Sequence, residues 1–262
     1  FGLITNIGKA HLEGFRDFEG VVKAKSELYK YILKNHGSVF VNNNNPLLNE
    51  LSKSIPRITY GAMPDADCHG KIKNRDGFLK ITWNSALGNK TIQTQLYGAY
   101  NFENIMAAIC IGNYFGVQQD DIIKAIEDYQ PHNQRSEIIN TRRNVIYMDA
   151  YNANPSSMEL AIREFLHIPG EKKSLVLGDM LELGSYAEEE HAVVLNILRD
   201  EENIRVYLVG PEFCKANRNR TFENFNNTEE LIKHLEKEKP SGRKFLVKGS
   251  RGIKLEKVIP HL

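Results

Sequence analysis

Six strings of the chain carry side chains able to do chemistry, and they divide by what each would hold. Near the start, Thr5-Asn-Ile-Gly-Lys-Ala-His-Leu-Glu13 sets His11 and Glu13 in a Gly-containing loop after a short apolar run, and Ala24-Lys-Ser-Glu-Leu28 sets Lys25 in a helical pattern. His11 could ligate a magnesium ion, although that hard cation prefers oxygen donors. Within Tyr97-Gly-Ala-Tyr-Asn-Phe-Glu-Asn104, Asn101 reads as a helix N-cap and Asn104 lies one turn further on. The Asn104 amide both donates and accepts, as the N6 and N7 edge of adenine requires. In Asp149-Ala-Tyr-Asn-Ala-Asn-Pro-Ser-Ser-Met158, Asn152 and Asn154 lead into a helix whose Ser156 and Glu159 fit a capping box. A helix N-terminus also suits an anion, so this loop could face a phosphoryl group or a carboxylate. Asp179 and Glu182 are two acids in the loop Leu177-Gly-Asp-Met-Leu-Glu-Leu-Gly184, placed to hold an ammonium group, with His191 on the surface of the next helix. Lys248-Gly-Ser-Arg251 brings two cations and Ser250 beside exposed loop amides, which suits a carboxylate.

These residues need elements to place them. In the helix over Phe18 to Leu33, at 100° per residue, Val21, Val22, Ala24, Leu28, Tyr29, Tyr31 and Ile32 share one stripe, with Lys23, Ser26, Glu27, Lys30 and Lys34 opposite. Lys25 falls in the middle of the apolar stripe, where a lysine must snorkel to water, meet an anion, or lose its charge by burial or modification. Up to about residue 134 the texture is mixed. Alternating runs such as Phe78-Leu-Lys-Ile-Thr-Trp83 and Thr91-Ile-Gln-Thr-Gln-Leu96 predict a small antiparallel extension on an α/β core. From about 143 onward, strands at 145–149, 174–177, 205–209, 221–225 and 244–247 alternate with helices, which predicts a mostly parallel, Rossmann-like sheet covered on both faces. Gln130-Pro-His-Asn-Gln-Arg-Ser136 is a polar, proline-containing hinge between the halves. Ligands of open α/β sheets collect at strand carboxyl ends, so the loops after Asp149, Leu177, Val209 and Val247 are where chemistry is expected.

Composition narrows the classes. A net charge of +1 gives no reason to expect nucleic acid or membrane binding, and no apolar run or leader suggests insertion or export. Cys68, Cys110 and Cys214 are scattered and form no CxxC pair, which argues against a metal or disulfide framework. Asn89-Lys-Thr91 and Asn226-Asn-Thr228 match a glycosylation pattern that has no meaning without secretion.

The six strings, in this order over nearly the whole chain, resemble the Mur ligase family in its D-alanyl-D-alanine-adding (MurF) type. The Tyr-Asn-Ala-Asn-Pro and Gly-Asp-Met-Leu-Glu-Leu-Gly strings favour that type over its sister ligases. The resemblance implies an α/β fold in which 1–135 is the C-terminal part of a central ATP-binding domain and 136–262 a Rossmann-like acceptor domain. It implies a cytoplasmic bacterial ligase, acting as a monomer in peptidoglycan precursor synthesis. ATP would activate the carboxylate of UDP-N-acetylmuramoyl-tripeptide as an acyl phosphate, and the amine of D-alanyl-D-alanine would attack it. His11 and a carbamylated Lys25 would be magnesium ligands, and Asn152 would join them in catalysis. Asn104 would contact adenine, Arg135 and Asp149 the phosphates and ribose, and Asn154, Asp179, Glu182, Lys248, Ser250 and Arg251 the incoming dipeptide. The family's Gly-Lys-Thr/Ser P-loop is not in the chain, since Gly249-Ser-Arg-Gly252 lacks its spacing and lysine. The chain therefore reads as a C-terminal fragment, expected to be inactive alone. Folylpolyglutamate synthetases, which share the architecture and an acyl-phosphate mechanism, and a non-catalytic binding module are the alternatives.

Overall fold

A computed structural model describes residues 1–170, 172–219 and 221–262. Contacts divide the chain into two compact units: residues 1–8 with 17–130, and residues 9–16 with 131–262.

The first unit is built on a six-stranded sheet in the order β1 (Gly2–Leu3), β2 (Val39–Asn42), β3 (Arg57–Gly61), β4 (Cys68–Asn74), β5 (Phe78–Ser85), β6 (Gly88–Tyr97). β1 to β4 pair in parallel and β4 to β6 form an antiparallel meander, the extension that the alternating runs predict. All four residues of β2 are buried, whereas β5 turns Leu79, Ile81 and Trp83 inward and every other residue outward. After α1 (Leu12–Phe15), a single turn belonging to the second unit, come α2 (Phe18–Lys34), α3 (Pro46–Leu51), α4 (Asn101–Tyr114) and α5 (Gln119–Asp128). α4 lies so close over the meander that a Cβ on Gly70 would sit 2.5 Å from the Thr82 carbonyl and 2.9 Å from the Met106 sulfur.

α2 starts where the Asp17 carboxylate accepts from the Gly20 N–H at 2.7 Å, and it buries Val21, Ser26, Tyr29 and Ile32. Lys25 lies inside this stripe by angle, yet its side chain is exposed. Of the three fates the pattern leaves open, contact with water is the one seen. Leu28 and Tyr31, on the same stripe, are exposed as well. Ser26, on the polar side of the pattern, is buried because its hydroxyl is satisfied within the helix by the Val22 carbonyl at 2.6 Å.

The second unit has a six-stranded sheet in the order β11 (Glu223–Phe225), β10 (Ile204–Val209), β9 (Lys173–Gly178), β12 (Lys244–Lys248), β8 (Val145–Asp149), β7 (Glu137–Asn140). All pairs are parallel except the β7/β8 hairpin. β7 is not foreseen by the sequence pattern, because its Ile138-Ile139 pair is short and its turn over 141–144 carries neither Gly nor Pro. The turn closes through the Thr141 hydroxyl and Asn144 backbone instead. The connections run through α6 (Pro155–His167), α7 (Ala187–Leu198), α8 (Pro211–Ala216) and α9 (Thr228–Glu238). Since the last strand, β12, inserts between the first two parallel strands, Asp149 stands beside Lys248 and Lys248 beside Leu177 at one end of the sheet. That shared end is the strand-order reversal where open α/β sheets bind ligands.

Candidate functional site at the carboxyl ends of the second sheet

Register alone brings the ends of β8, β9, β10 and β12 together, but the polar side chains there face two ways. Lys248 is 1% exposed, and its ammonium donates to Asp149 Oδ2 at 2.7 Å, with the Asp149 and Asn152 carbonyls at 3.4 and 3.5 Å. A buried lysine must be compensated, and here the compensation is internal. Lys248 is therefore not presented as a free cation, which corrects the expectation that it meets a substrate carboxylate. Asp149 is committed to the same pair.

Ser250 is also buried. Its hydroxyl accepts from the Leu181 N–H at 2.9 Å and approaches the Ala153 carbonyl at 3.5 Å, while its own N–H donates to the Asp179 carbonyl at 3.1 Å. It pins the β9 and β8 loops together instead of facing solvent. Gly249 permits this, since a Cβ there would lie 2.9 Å from Gly178 Cα.

Asp179 is 1% exposed and accepts from the Phe213 and Glu212 N–H groups at 2.8 and 2.9 Å, capping the first turn of α8. Its carboxylate has no room for an ammonium group, which corrects the sequence expectation. Gly210, at φ 120°, makes the approach feasible, because a Cβ would fall 2.4 Å from the Asp179 carboxylate. Burial pushes the Asp179 carboxyl up, opposed by those two N–H groups and by His191. His191 is not on the helix surface: it is fully buried, its Nδ1 donating to the Ala187 carbonyl at 2.6 Å and its Nε2 accepting from the Met180 N–H at 3.0 Å. These bonds specify a neutral imidazole, and burial pushes its pKa down.

The residues that do reach solvent form the accessible part of the platform. Arg135 and Arg251 are exposed, and their guanidinium carbons lie 3.9 and 5.6 Å from the centre of the Tyr151 ring. Asn152 is exposed, its side-chain oxygen accepting from the Ala153 N–H at 2.9 Å. Asn154 is the N-cap of α6, reciprocally bonded with Ser157 at 2.9 and 3.1 Å. It replaces the expected Ser156–Glu159 box, and Glu159 pairs with Arg163 instead, at 2.9 Å. Glu182, at φ 63°, is exposed and meets the His11 ring. The Glu13 N–H donates to the Glu182 carbonyl at 3.1 Å, and Lys9 bonds Glu190 at 2.5 Å.

The loop carrying His11 thus counts with the second unit, whereas Lys25 and Asn104 count with the first. Asn104 is exposed, with its amide 3.3 Å from Asn101 Oδ1. Asn101 is not the N-cap of α4: Tyr100 is, and the Asn101 amide donates to the Tyr97 carbonyl at 2.8 Å. Among the described residues, no three His, Cys, Asp or Glu side chains gather as a metal site. His11 is joined to one carboxylate, and Lys25, in the first unit, is exposed. Tyr151, Lys9 and Glu190 were not singled out from sequence; Tyr151 stands inside a quoted string, but its role is visible only once two arginines converge on it.

Comparison with known proteins agrees with this arrangement. Residues 1–112 match the Mur ligase middle domain, and residues 134–251 match the Mur ligase, glutamate ligase domain. The UDP-N-acetylmuramoyl-tripeptide--D-alanyl-D-alanine ligase of Bacillus subtilis is 30% identical over 99% of this chain and 58% of its own length. Among solved structures, MurF from Acinetobacter baumannii superposes with a TM-score of 0.84 at 28% identity, over 98% of this chain and 58% of that one. MurF ligase from Thermotoga maritima, in complex with ADP, shares the fold with a TM-score of 0.82 at 24% identity, over 99% and 60% of the two chains. The chain spans somewhat more than half the length of such relatives. Two adjoining domain matches that take up most of the sequence, carried on the sheets described above, place the chain in the Mur ligase family.

Proposed function

We propose that this chain supplies the middle and C-terminal domains of an ATP-dependent ligase that joins D-alanyl-D-alanine to UDP-N-acetylmuramoyl-tripeptide in peptidoglycan precursor synthesis. The observation that carries the reading is the pair of exposed guanidinium groups, Arg135 and Arg251, beside Asn152 at the carboxyl ends of β8 and β12. Lys248, the cation that the register of β12 places there, is neutralised by Asp149, so these two guanidinium groups are what an anionic ligand would meet. In the reaction, a carboxylate oxygen attacks the γ-phosphorus of ATP and ADP leaves. The dipeptide amine then attacks the acyl carbon, inorganic phosphate leaves and the amine gives up its proton. The first step needs cations against developing phosphoryl charge, and the second needs a group that holds the ammonium and takes its proton. Arg135 and Arg251 answer the first need. Glu182, coupled to His11, answers the second as the exposed acid–base pair on the platform.

Asn104 is proposed to contact adenine. Asn152 and Asn154 line the loop at the start of α6, where an oxyanion is favoured. Lys248, Asp149, Asp179 and Ser250 shape that loop from beneath.

The test is phosphate release by the protein with its complete chain, dependent on ATP and UDP-N-acetylmuramoyl-tripeptide, with D-alanyl-D-alanine or L-glutamate as acceptor. Turnover with the dipeptide and not with glutamate is expected. Turnover of a folate with L-glutamate, and none of the tripeptide with the dipeptide, would favour the folylpolyglutamate synthetase reading. Loss of one charge-assisted contact weakens binding roughly ten- to a hundredfold, so Arg251→Ala should raise the KM of the one anionic substrate it meets, ATP or the dipeptide, by that factor and move the other much less. Equal rises would show that Arg251 supports the fold and not one ligand.

A further inference from the structure

We propose that Tyr151 is a positioning residue that stacks Arg135 and Arg251 on one aromatic ring, so that guanidinium groups from distant parts of the sequence act on a single oxyanion. The inference rests on the proposed ligase function for the identity of that oxyanion, which is a phosphate of the nucleotide or the carboxylate of the acceptor. It does not rest on it for the geometry.

The two guanidinium carbons lie 3.9 and 5.6 Å from the ring centre, within the range in which the face of an aromatic ring attracts a cation. Arginine stacks in this way because its planar, weakly hydrated head keeps its edge N–H donors free while its face lies on a ring. Among the described residues, neither guanidinium makes an ion pair or a hydrogen bond. Two cations gathered on one ring with no carboxylate between them repel each other, and an anion bound to both would relieve the repulsion.

The backbone around Arg135 is held to the same residue. The Tyr151 N–H donates to the Gln134 carbonyl at 3.2 Å, and the Gln134 N–H donates to Glu137 Oε1 at 2.6 Å. Gln134 and Ser136, on either side of Arg135, have φ of 57° and 52°, a left-handed conformation that costs energy for residues other than glycine and persists where surrounding contacts enforce it. Arg251 is fixed from below, since Ser250 is bonded to the β8 and β9 loops. Both arginines are therefore anchored at the backbone and ordered at the tip, which removes the rotamer freedom a long side chain would otherwise lose on binding.

The test uses the protein with its complete chain and the variants Tyr151→Phe, Tyr151→Leu, Arg135→Lys and Arg251→Lys. Arginine side-chain NMR reads the stacking without any activity: two guanidinium resonances, assigned with Arg135→Lys and Arg251→Lys, should show ring-current shifts in the wild type and Tyr151→Phe and lose them in Tyr151→Leu. Kinetically, Tyr151→Leu should raise the KM of one anionic substrate roughly three- to thirtyfold with kcat little changed, while Tyr151→Phe stays near wild type. Arg135→Lys keeps the charge but not the planar stack, so it should raise the same KM, and it decides the matter if Tyr151→Leu folds poorly. A rise confined to ATP identifies a phosphate, and one confined to D-alanyl-D-alanine identifies the carboxylate. Unshifted resonances in the wild type, unchanged KM values in both Tyr151→Leu and Arg135→Lys, or equal damage from Tyr151→Phe and Tyr151→Leu would overturn the proposal. A wild type with shifted resonances but no ligase turnover would overturn the function and leave the stacking standing.

Discussion

Lys248 shows how far a residue's type can mislead about its task. A lysine in a loop motif after the last strand invites a reading as a substrate cation, yet its side chain is 2% exposed and spends its charge on Asp149. Such a pair is weak evidence for stability as a pair, but removing one partner strands the other charge in low dielectric. Lys248→Met should therefore lower unfolding free energy by about 3–5 kcal/mol, whereas Lys248→Met combined with Asp149→Leu should cost distinctly less. Urea unfolding of the two single variants and the double variant checks this. Additive losses would mean that the two side chains act separately.

At the scale of elements, the loop after β9 is organised by a neighbour it does not adjoin in sequence. Asp179 caps α8 and His191 on α7 accepts from the Met180 N–H, so two helices and one strand end share a single buried polar cluster. The imidazole is neutral there and burial depresses its pKa, whereas in the unfolded chain it titrates near its usual 6.5. As pH falls below about 6.5 the unfolded state binds a proton that the folded state resists, so stability present above that pH is lost as pH drops through the window beneath it. Asp179, with its pKa raised, pulls the other way at lower pH, where its carboxyl protonates more readily folded than unfolded. His191→Gln should be less stable at pH 7 but should show a flatter pH dependence across that window. If wild type and variant show the same slope in urea titrations, the imidazole is not the group being read.

On the scale of the whole chain, each unit has its own core. One gathers Phe40, Leu79, Ile81, Trp83 and Met106, and the other Ile146, Val176, Tyr207, Phe245 and Val247. The chain's single tryptophan, Trp83, is buried in the first. Tryptophan fluorescence therefore reports one unit and far-ultraviolet circular dichroism reports both. Lys248→Met should lower part of the dichroism transition and leave the fluorescence midpoint where it was, because separate cores need not unfold in one cooperative step. A fluorescence midpoint that moves with the dichroism would show that the cores unfold together.

The sequence by itself determined the architecture and the family. Apolar periods of two and 3.6 specify the strand–helix order, short loops force parallel crossovers, and those crossovers put Asp149, Leu177, Val209 and Val247 at strand ends. Ordered motifs pointed to the Mur ligases for the same chain that matches their middle and glutamate ligase domains. What only the tertiary structure decided is which polar side chains are turned inward. Periodicity marks burial through apolar residues and is silent about a polar group whose partners are remote. Asp179 meets N–H groups 33 and 34 residues away, and Lys248 meets a carboxylate 99 residues away. Lys25 differs in the opposite direction: its angle on the helix places it on the apolar stripe, yet its side chain is exposed, because exposure depends on what packs over a helix face, which no helical pattern contains. Tyr151 gained its role when folding brought Arg135 and Arg251 to one ring, a convergence of chain segments that is fixed by sheet order and not by spacing along the sequence.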